Sequence, residues 1–171
     1  MVSEADVVIR GFQSGDGEGV ARIALENGAY YEELAPERFQ QPTEEGLADF
    51  LEGDGEWRAG DGNLALVAEI DGDVAGYLEA TLQEPLDSAQ WQSQRDLAHR
   101  RLFIGVVTVG DRFKRMGVAT RLVEAAEDWG RTNGAVAAVC DTYIGSPLSM
   151  PFWEARMGYT KVAVIFRKPL V

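Results

Sequence analysis

The stretch that decides the fold runs from Val106 to Leu122 and reads VVTVGDRFKRMGVATRL. It begins as an apolar, β-prone run, passes through a basic cluster, and becomes an amphipathic pattern after Gly117. Three cations, Arg112, Lys114 and Arg115, therefore stand at the predicted start of a helix. Because a helix N-terminus already carries partial positive charge, cations there destabilise the helix unless an anion binds.

The turn from this strand into the helix is suited to a phosphate group. The first amides of a helix have no acceptor within the helix and point out of its start. Gly117 and Ala119 are small enough to let an anion reach the backbone, and Thr120 adds a hydroxyl. Lys114 and Arg115 supply the complementary charge. The alternative is a solvated basic loop, and one short motif does not decide between the two.

Composition and charge narrow the classes of protein. The chain has 171 residues, 46% of them hydrophobic and 26% charged, which suits one globular domain over residues 1–171. The net charge of −12 argues against nucleic acid as a partner and favours cationic partners such as amines. One cysteine and one histidine argue against a disulfide framework or a metal site. No signal peptide or membrane-spanning run is evident, so we expect a cytoplasmic protein without a membrane partner.

Elements before the deciding stretch follow from periodicity and turn residues. The N-terminal part predicts a strand over Asp6–Arg10, a helix from Glu18 that ends before Pro36, a second helix over Thr43–Glu52 and a loop over Gly53–Gly62. Two runs rich in apolar residues then flank Asp71-Gly-Asp73, a strong turn signal. They predict a hairpin of Asn63–Ile70 and Val74–Leu82. The polar segment that follows, Gln83–Arg100, predicts an excursion with a short helix around Ser88–Leu97.

The second half of the chain predicts alternating strands and helices. Leu102–Val109 is nearly all apolar, which indicates a strand buried on both faces. The helix after Gly117 has one apolar face and should stop at Asn133-Gly134. The remaining elements are a strand over Ala135–Asp141, a helix over Ser149–Met157 and a final strand over Lys161–Arg167. This order predicts a mixed α/β fold, not a doubly wound nucleotide fold.

The segment Val109–Ala119 closely resembles the acyl-CoA signature of the GNAT superfamily of N-acetyltransferases. The core of that signature is Arg/Gln-x-x-Gly-x-Gly/Ala, and this chain has Lys114-Arg-Met-Gly-Val-Ala119. Val7–Arg10 and Asp71–Tyr77 are similar to the family's first strand and hairpin. Phe152–Tyr159 resembles its late Phe-Tyr-Glu-x-x-Gly-Phe block with one extra residue. The resemblance implies a single-domain fold with a central mixed, mostly antiparallel sheet, splayed between two strands and flanked by about four helices.

The same resemblance implies a cosubstrate site for acetyl-CoA and no metal. Backbone groups of Val107 and Val109 would pair with the pantetheine arm, beside the strand Ala135–Asp141. The diphosphate would lie on the turn and first helical residues: Lys114, Arg115, Met116, Gly117, Val118, Ala119 and Thr120. Ser146, at the position of the family's common asparagine, and Trp153 in the late block would complete the cofactor site. The expected reaction moves an acetyl group directly to a primary amine of a small molecule or peptide; since family members often dimerise, a homodimer is compatible.

Catalytic residues are harder to assign by resemblance. The late block of many members carries a tyrosine that protonates the leaving thiolate, and Trp153, which cannot act as an acid, occupies that position here. Shifting the alignment by one residue places Glu154 there instead. This departure motivates an alternative function, an acyl-CoA-binding or sensing module with little transfer. An enzyme that uses a longer acyl-CoA is a third reading.

Asp141 is the leading candidate for the base, because it ends a strand at the predicted cleft. It could equally cap the following loop. Tyr143, close by in sequence, is the second candidate catalytic residue. Glu79 on the hairpin and Glu32 or Glu33 after the first helix could also reach an amine through water. Further expectations concern three side chains: Cys140 as a small buried hydrophobe, and Trp57 and Trp91 as candidates to line an acceptor pocket.

Overall fold

The computed structural model describes residues 7–170 and divides after Asp141 into two compact units. The first unit contains one five-stranded sheet whose strands follow chain order: β1 (Val8–Gly11), β2 (Asn63–Ile70), β3 (Asp73–Gln83), β4 (Arg101–Val109) and β5 (Ala137–Cys140). Strands β1 to β4 pair with one another in antiparallel fashion, and β5 pairs with β4 in parallel. The predicted mixed, mostly antiparallel sheet is confirmed; Asp6, the first residue of the predicted first strand, lies outside the described residues.

Four helices of the first unit accompany the sheet: α1 (Gly17–Leu34), α2 (Leu47–Gly53), α3 (Gly55–Arg58) and α4 (Val118–Thr132). The predicted end of α1 before Pro36 and the start of α4 after Gly117 are confirmed. The predicted start of α2 at Thr43 is wrong, because Gly46 adopts a left-handed conformation (φ 77°) just before Leu47. The segment predicted as a loop contains α3, and two 3₁₀ turns replace the short helix of the excursion.

The hairpin of β2 and β3 turns tightly, as predicted. Asp71 and Gly72 both have positive φ, 53° and 83°, which is the geometry of a two-residue hairpin turn. On one face of the sheet, Gly76 lets α4 approach closely: a Cβ there would lie 2.6 Å from a methyl of Val118. On the other face, Val20 of α1 packs with Tyr77 and two residues of β2 in a buried apolar cluster. The sheet therefore lies between α4 and the N-terminal helices.

The prediction that β4 is buried on both faces is wrong. Leu102, Ile104 and Thr108 are buried, but Gly105 is exposed and Val106 retains 37% of its surface. β5 accompanies β4 only as far as Ile104, so the later residues of this strand lie beyond β5. An apolar run can thus belong to an open edge as well as to a buried strand.

The second unit contains a short helical segment followed by extended chain. Its helix, α5 (Ser149–Pro151), continues into a π-helical turn over Phe152–Arg156, so the predicted helix is confirmed with a widened second half. The predicted strand over Lys161–Arg167 is wrong: within residues 7–170 this segment joins no sheet. Its apolar side chains are exposed, Phe166 at 92%. A β-prone composition alone does not make a strand, because a strand also needs a hydrogen-bonded neighbour.

Candidate active site

An open wedge in the sheet begins where β5 stops. The parallel pairing of β4 with β5 ends at Ile104 opposite Cys140, whereas β4 continues to Val109. On its other side β4 stays paired with β3, with a bulge that leaves Gly105 without a partner. From Gly105 onward, one edge of β4 has no strand beside it in the described part of the chain. Val107 and Val109 lie on this edge, where an extended ligand can pair as an added strand.

The loop after β4 is held by two neighbouring elements. The amide of Gly110 donates to the carbonyl of Ala75 on β3 at 3.0 Å. The amide of Asp111 donates to the Glu26 carboxylate of α1 at 2.7 Å, and the buried Phe113 ring anchors the next turn. The loop is therefore fixed before the chain turns into α4.

The turn into α4 has an unusual backbone. Arg115 (φ 66°) and Gly117 (φ 79°) both adopt left-handed conformations, on either side of the half-buried Met116. For a residue other than glycine this conformation costs roughly 1–2 kcal/mol. Backbone strain of this kind is concentrated at ligand clamps and active sites, so the Arg115 outlier points to a role for this turn.

The N-terminus of α4 offers unpaired donors. The first hydrogen bond of the helix ladder runs from the Arg121 amide to the Gly117 carbonyl at 3.1 Å. The amides of Val118 and Ala119 therefore have no acceptor within the helix. No side chain caps this end, and its first turn contains no acidic residue. Thr120 lies half-buried in the same turn. The backbone here offers donors to an anion, and the anion site itself stays a prediction.

The three cations of the turn differ in their partners. Arg112 forms an ion pair with Asp73 at 2.7 Å, and Lys114 forms one with Asp111 at 2.5 Å. Arg115 is exposed and makes no ion pair with any of residues 7–170. Two of the three charges are thus neutralised internally, and Arg115 carries the charge that an anionic ligand would meet.

A groove of about 800 Å³ lies on the other side of this loop, between α1, α2 and the start of the loop. Lys114 and Arg22 are the cations that line it. Its carboxylates are more numerous: Glu18, Glu26, Glu33, Glu44 and Asp111. This acidic lining disfavours a diphosphate. An anion is therefore favoured at the helix start with Arg115 and disfavoured in the groove.

A tyrosine–carboxylate pair lies on β3, which is separated from the wedge by β4. The hydroxyl of Tyr77 donates to Oε1 of Glu79 at 2.5 Å. Burial raises the pKa of Tyr77, and the hydrogen bond to Glu79 raises it further, so the phenol stays protonated. From the sequence alone, Glu79 is a weaker candidate for the general base than Asp141. The signal that could have promoted it is the tyrosine two residues earlier, on the same face of the strand.

Asp141 and Tyr143, the predicted catalytic residues, lie in different units. Asp141 is exposed and directly follows β5. Burial of Cys140, together with the charge of Asp141, raises the pKa of the thiol to about 11, so it stays protonated at neutral pH. Tyr143 packs its ring against Gly145 in the second unit, where a Cβ would lie 2.7 Å from the ring.

Ser146 and Trp153 make structural contacts in the second unit. The Ser146 hydroxyl accepts a hydrogen bond from the Ser149 amide at 3.1 Å, at the start of α5. The Trp153 ring is buried and lies edge-on to Phe152 and Tyr159, with ring centres 5.0 and 4.9 Å apart. Whether either residue also touches the cofactor stays a prediction.

The predicted acceptor tryptophans have different surroundings. Trp57 packs against the apolar cluster around Tyr77, whereas Trp91 is 77% exposed. Among residues 7–170, no three side chains of His, Cys, Asp or Glu come together as a metal site. Within the same residues, every helix is too short or too polar to cross a membrane.

Comparison with known proteins gives a family and a fold. The acetyltransferase (GNAT) family matches residues 27–159. A transcriptional regulator from Bacillus halodurans C-125 is 19% identical, with a TM-score of 0.73 over 96% of this chain and 99% of that one. The aminoglycoside N-acetyltransferase AAC(6')-Iy, solved with CoA, is 21% identical, with a TM-score of 0.65 over 96% and 95%. An aminoglycoside acetyltransferase from an uncultured soil sample, solved with sisomicin, is 14% identical, with a TM-score of 0.63 over 98% and 99%. No curated protein matched the sequence.

Proposed function

Since the chain belongs to the acetyltransferase (GNAT) family, we propose that it transfers an acetyl group from acetyl-CoA directly to a primary amine. One observation carries this proposal: the open edge of β4 leads directly to the uncapped N-terminus of α4. The edge can pair with a pantetheine arm, and the helix start can hold the diphosphate to which that arm is joined.

The proposed pose places the thioester near the bulge. From Val109 back to Gly105 the edge spans four residues, or roughly 13 Å at about 3.3 Å per residue. With the diphosphate on the amides from Arg115 to Thr120, the sulfur would lie beside Gly105, where the wedge opens. Arg115 would add charge, and Lys114 would add more by exchanging its Asp111 partner for the diphosphate. Val107 and Val109 would pair with the arm.

The proposed acceptor is a cationic small molecule or a peptide amine. The net charge of −12 raises the local concentration of cations. Two of the structural neighbours are named aminoglycoside acetyltransferases, which supports a small-molecule amine. We further propose that residues 1–171 form one acetyltransferase domain, because the family match runs across the boundary after Asp141. A cytoplasmic location and a homodimer complete the proposal.

A second candidate function follows from Trp153. An indole at the family's tyrosine position cannot protonate a thiolate. The buried ring contacts of Trp153 with Phe152 and Tyr159 indicate a packing role for this side chain. The chain would then bind acyl-CoA and transfer slowly or not at all.

Thiol release separates the two functions. The wild-type chain is incubated with acetyl-CoA and, in turn, spermidine, sisomicin, phenethylamine and a short peptide with a free N-terminus. Transfer predicts CoA release that requires one of these amines, with the N-acetyl product seen by mass spectrometry. Thermal stabilisation by CoA without release would favour the sensing module. If CoA neither stabilises the chain nor is released in the presence of any of these amines, both functions are contradicted.

A further inference from the structure

Glu79 lies next to the bulge that interrupts the pairing of β3 with β4. It pairs with Val106, the first residue of β4 after the bulge at Gly105. The next pair of this ladder, Ala80 with Ile104, lies level with the last residue that β5 accompanies. Glu79 therefore lies on β3, one strand away from the wedge, at the level where β4 and β5 separate. In the proposed function, the thioester reaches this same level.

The carboxylate of Glu79 is held by one hydrogen bond and leaves one oxygen free. Tyr77 donates to Oε1 at 2.5 Å, and the Tyr77 ring is 2% exposed, fixed in the apolar cluster with Val20 and Val67. Residues 7–170 give Oε2 no hydrogen-bond donor. Glu79 is half-buried, and Val106 beside it is exposed. A rigid partner thus orients the acid, and its second oxygen can accept a proton.

The neighbours of this carboxylate are mostly uncharged. In the ladders, β2 places Ala65 opposite Glu79, and β4 places Val106 there. Thr108, opposite Tyr77, is buried, with a hydroxyl that has no partner in the described chain. Two groups that carry or gain charge lie close by: Tyr77 itself and Arg58 of α3, whose guanidinium acts on Tyr77. Neither ladder partner of Glu79 is a carboxylate.

Asp141, the base favoured by the sequence, has a different environment. It is exposed, and no residue of 7–170 donates a hydrogen bond to it. A solvated carboxylate without a partner is free to turn, whereas Glu79 has a fixed orientation. General bases act within hydrogen-bond reach of the proton that they remove, so a fixed orientation favours Glu79.

We propose that Glu79 is the general base of the transfer and that Tyr77 is its positioning residue; this rests on the proposed function. Oε2 of Glu79 takes one proton from the substrate ammonium, directly or through one water. The freed nitrogen lone pair then forms the C–N bond with the thioester carbonyl carbon. The C–S bond breaks, its electron pair leaves with the CoA sulfur, and a second proton from the nitrogen ends on that sulfur. Glu79 returns its proton to solvent.

The substitution Glu79→Gln tests the base. With acetyl-CoA and spermidine, or whichever amine of the panel turns over fastest, kcat should fall about 100- to 1000-fold, the range of a lost general base. The residual rate should rise steadily with pH, because only amine that is already neutral can react. The affinity for CoA, measured by calorimetry, should stay unchanged. Glu84→Gln, in an exposed ion pair with Arg100 just after β3, is the matched control and should keep kcat within twofold.

The substitution Tyr77→Phe tests the positioning role while keeping the ring in its cluster. We expect kcat to fall about tenfold with little change in KM for acetyl-CoA. A purely structural role for Tyr77 would lower thermal stability while leaving kcat, measured well below the melting temperature, close to the wild-type value.

The outcomes separate this inference from the proposed function. If the wild-type chain turns over and Glu79→Gln turns over within threefold of it, Glu79 is not the base, and the transferase proposal stands. If the wild-type chain binds CoA but transfers to no amine, the proposed function fails, and the role of Glu79 fails with it. If Glu79→Gln loses CoA binding as well as turnover, the carboxylate supports the fold and the inference is overturned.

Discussion

The two ends of α4 are built differently. At the C-terminal end, Gly134 (φ 81°) turns the chain, and Ala135 donates its amide to the Gly130 carbonyl at 2.9 Å. The Asn133 side chain donates to the Trp129 carbonyl at 2.8 Å. At the N-terminal end, Gly117 also turns the chain, but no side chain caps the helix. At the C-terminal end, carbonyls of the last turn are therefore hydrogen-bonded within the protein, whereas at the N-terminal end no side chain accepts from the first amides of the helix.

The charges of the two ends differ in the same way. Arg131, in the last turn, pairs with Glu127 and Asp128, and a cation there also complements the helix dipole. Arg115 stands before the first turn, where a cation opposes the dipole, and it has no carboxylate partner among the residues described. Within the described residues, the N-terminal end thus has neither a side-chain cap nor a carboxylate partner for Arg115. In the proposed function, a bound diphosphate would provide the missing acceptors and charge.

The largest expected effect comes from Gly117→Glu. A carboxylate and its carbons would fill the space of the anion and repel it. We expect the affinity for CoA to fall at least about 100-fold, or roughly 2.7 kcal/mol, in isothermal calorimetry.

The control for this substitution is Gly134→Glu. It places the same side chain at the same kind of left-handed position, so it carries a similar backbone cost. It should lower thermal stability but leave the affinity for CoA unchanged. Equal losses of affinity in the two variants would show that strain in α4, not the anion site, is responsible.

Arg115→Ala should have the next largest effect. Removing an exposed cation that pairs only with the ligand should weaken CoA binding about tenfold, or roughly 1.4 kcal/mol. The salt dependence of binding should also become shallower. Arg131→Ala removes a cation from the other end of the same helix and should change neither quantity. An Arg115→Ala variant with wild-type affinity at low salt would exclude this side chain from the site.

Asn133→Ala should have the smallest effect. It removes one side-chain hydrogen bond to the Trp129 carbonyl, which contributes about 1 kcal/mol to the free energy of unfolding. The expected result is a Tm lowered by a few degrees with unchanged CoA affinity. A loss of affinity here would mean that the C-terminal end also takes part in binding.

The sequence predicted those elements whose signals are local. The stretch from Val106 to Leu122, the Asp71-Gly72 turn and the Gly134 stop each carry a pattern or a residue that dictates the backbone. The family resemblance, now supported by the match over residues 27–159, predicted the splay of β4 from β5. These features needed no knowledge of distant contacts.

Other features depend on which segments become neighbours. The run Lys161–Arg167 is apolar and β-prone like a strand, but within residues 7–170 it has no strand beside it. The edge of β4 is open because β5 ends at Cys140, which the apolar run could not indicate. The hydrogen bond that distinguishes Glu79 from other acids depends on the buried placement of Tyr77. Site residues of this kind require the fold before they can be ranked.

In the proposed function, main-chain amides at the start of α4 hold the diphosphate of CoA. The direct measurement is a titration of the ¹⁵N-labelled chain with CoA and, separately, with pantetheine, which lacks the diphosphate. CoA should shift the amide resonances of Gly117, Val118 and Ala119 strongly, and pantetheine should leave them nearly unmoved. The amides of Asn133 and Gly134 should stay in place with both ligands. Two results would contradict a diphosphate site at the start of α4. In one, CoA binds without shifting the resonances of Gly117, Val118 and Ala119; in the other, pantetheine shifts them as much as CoA does.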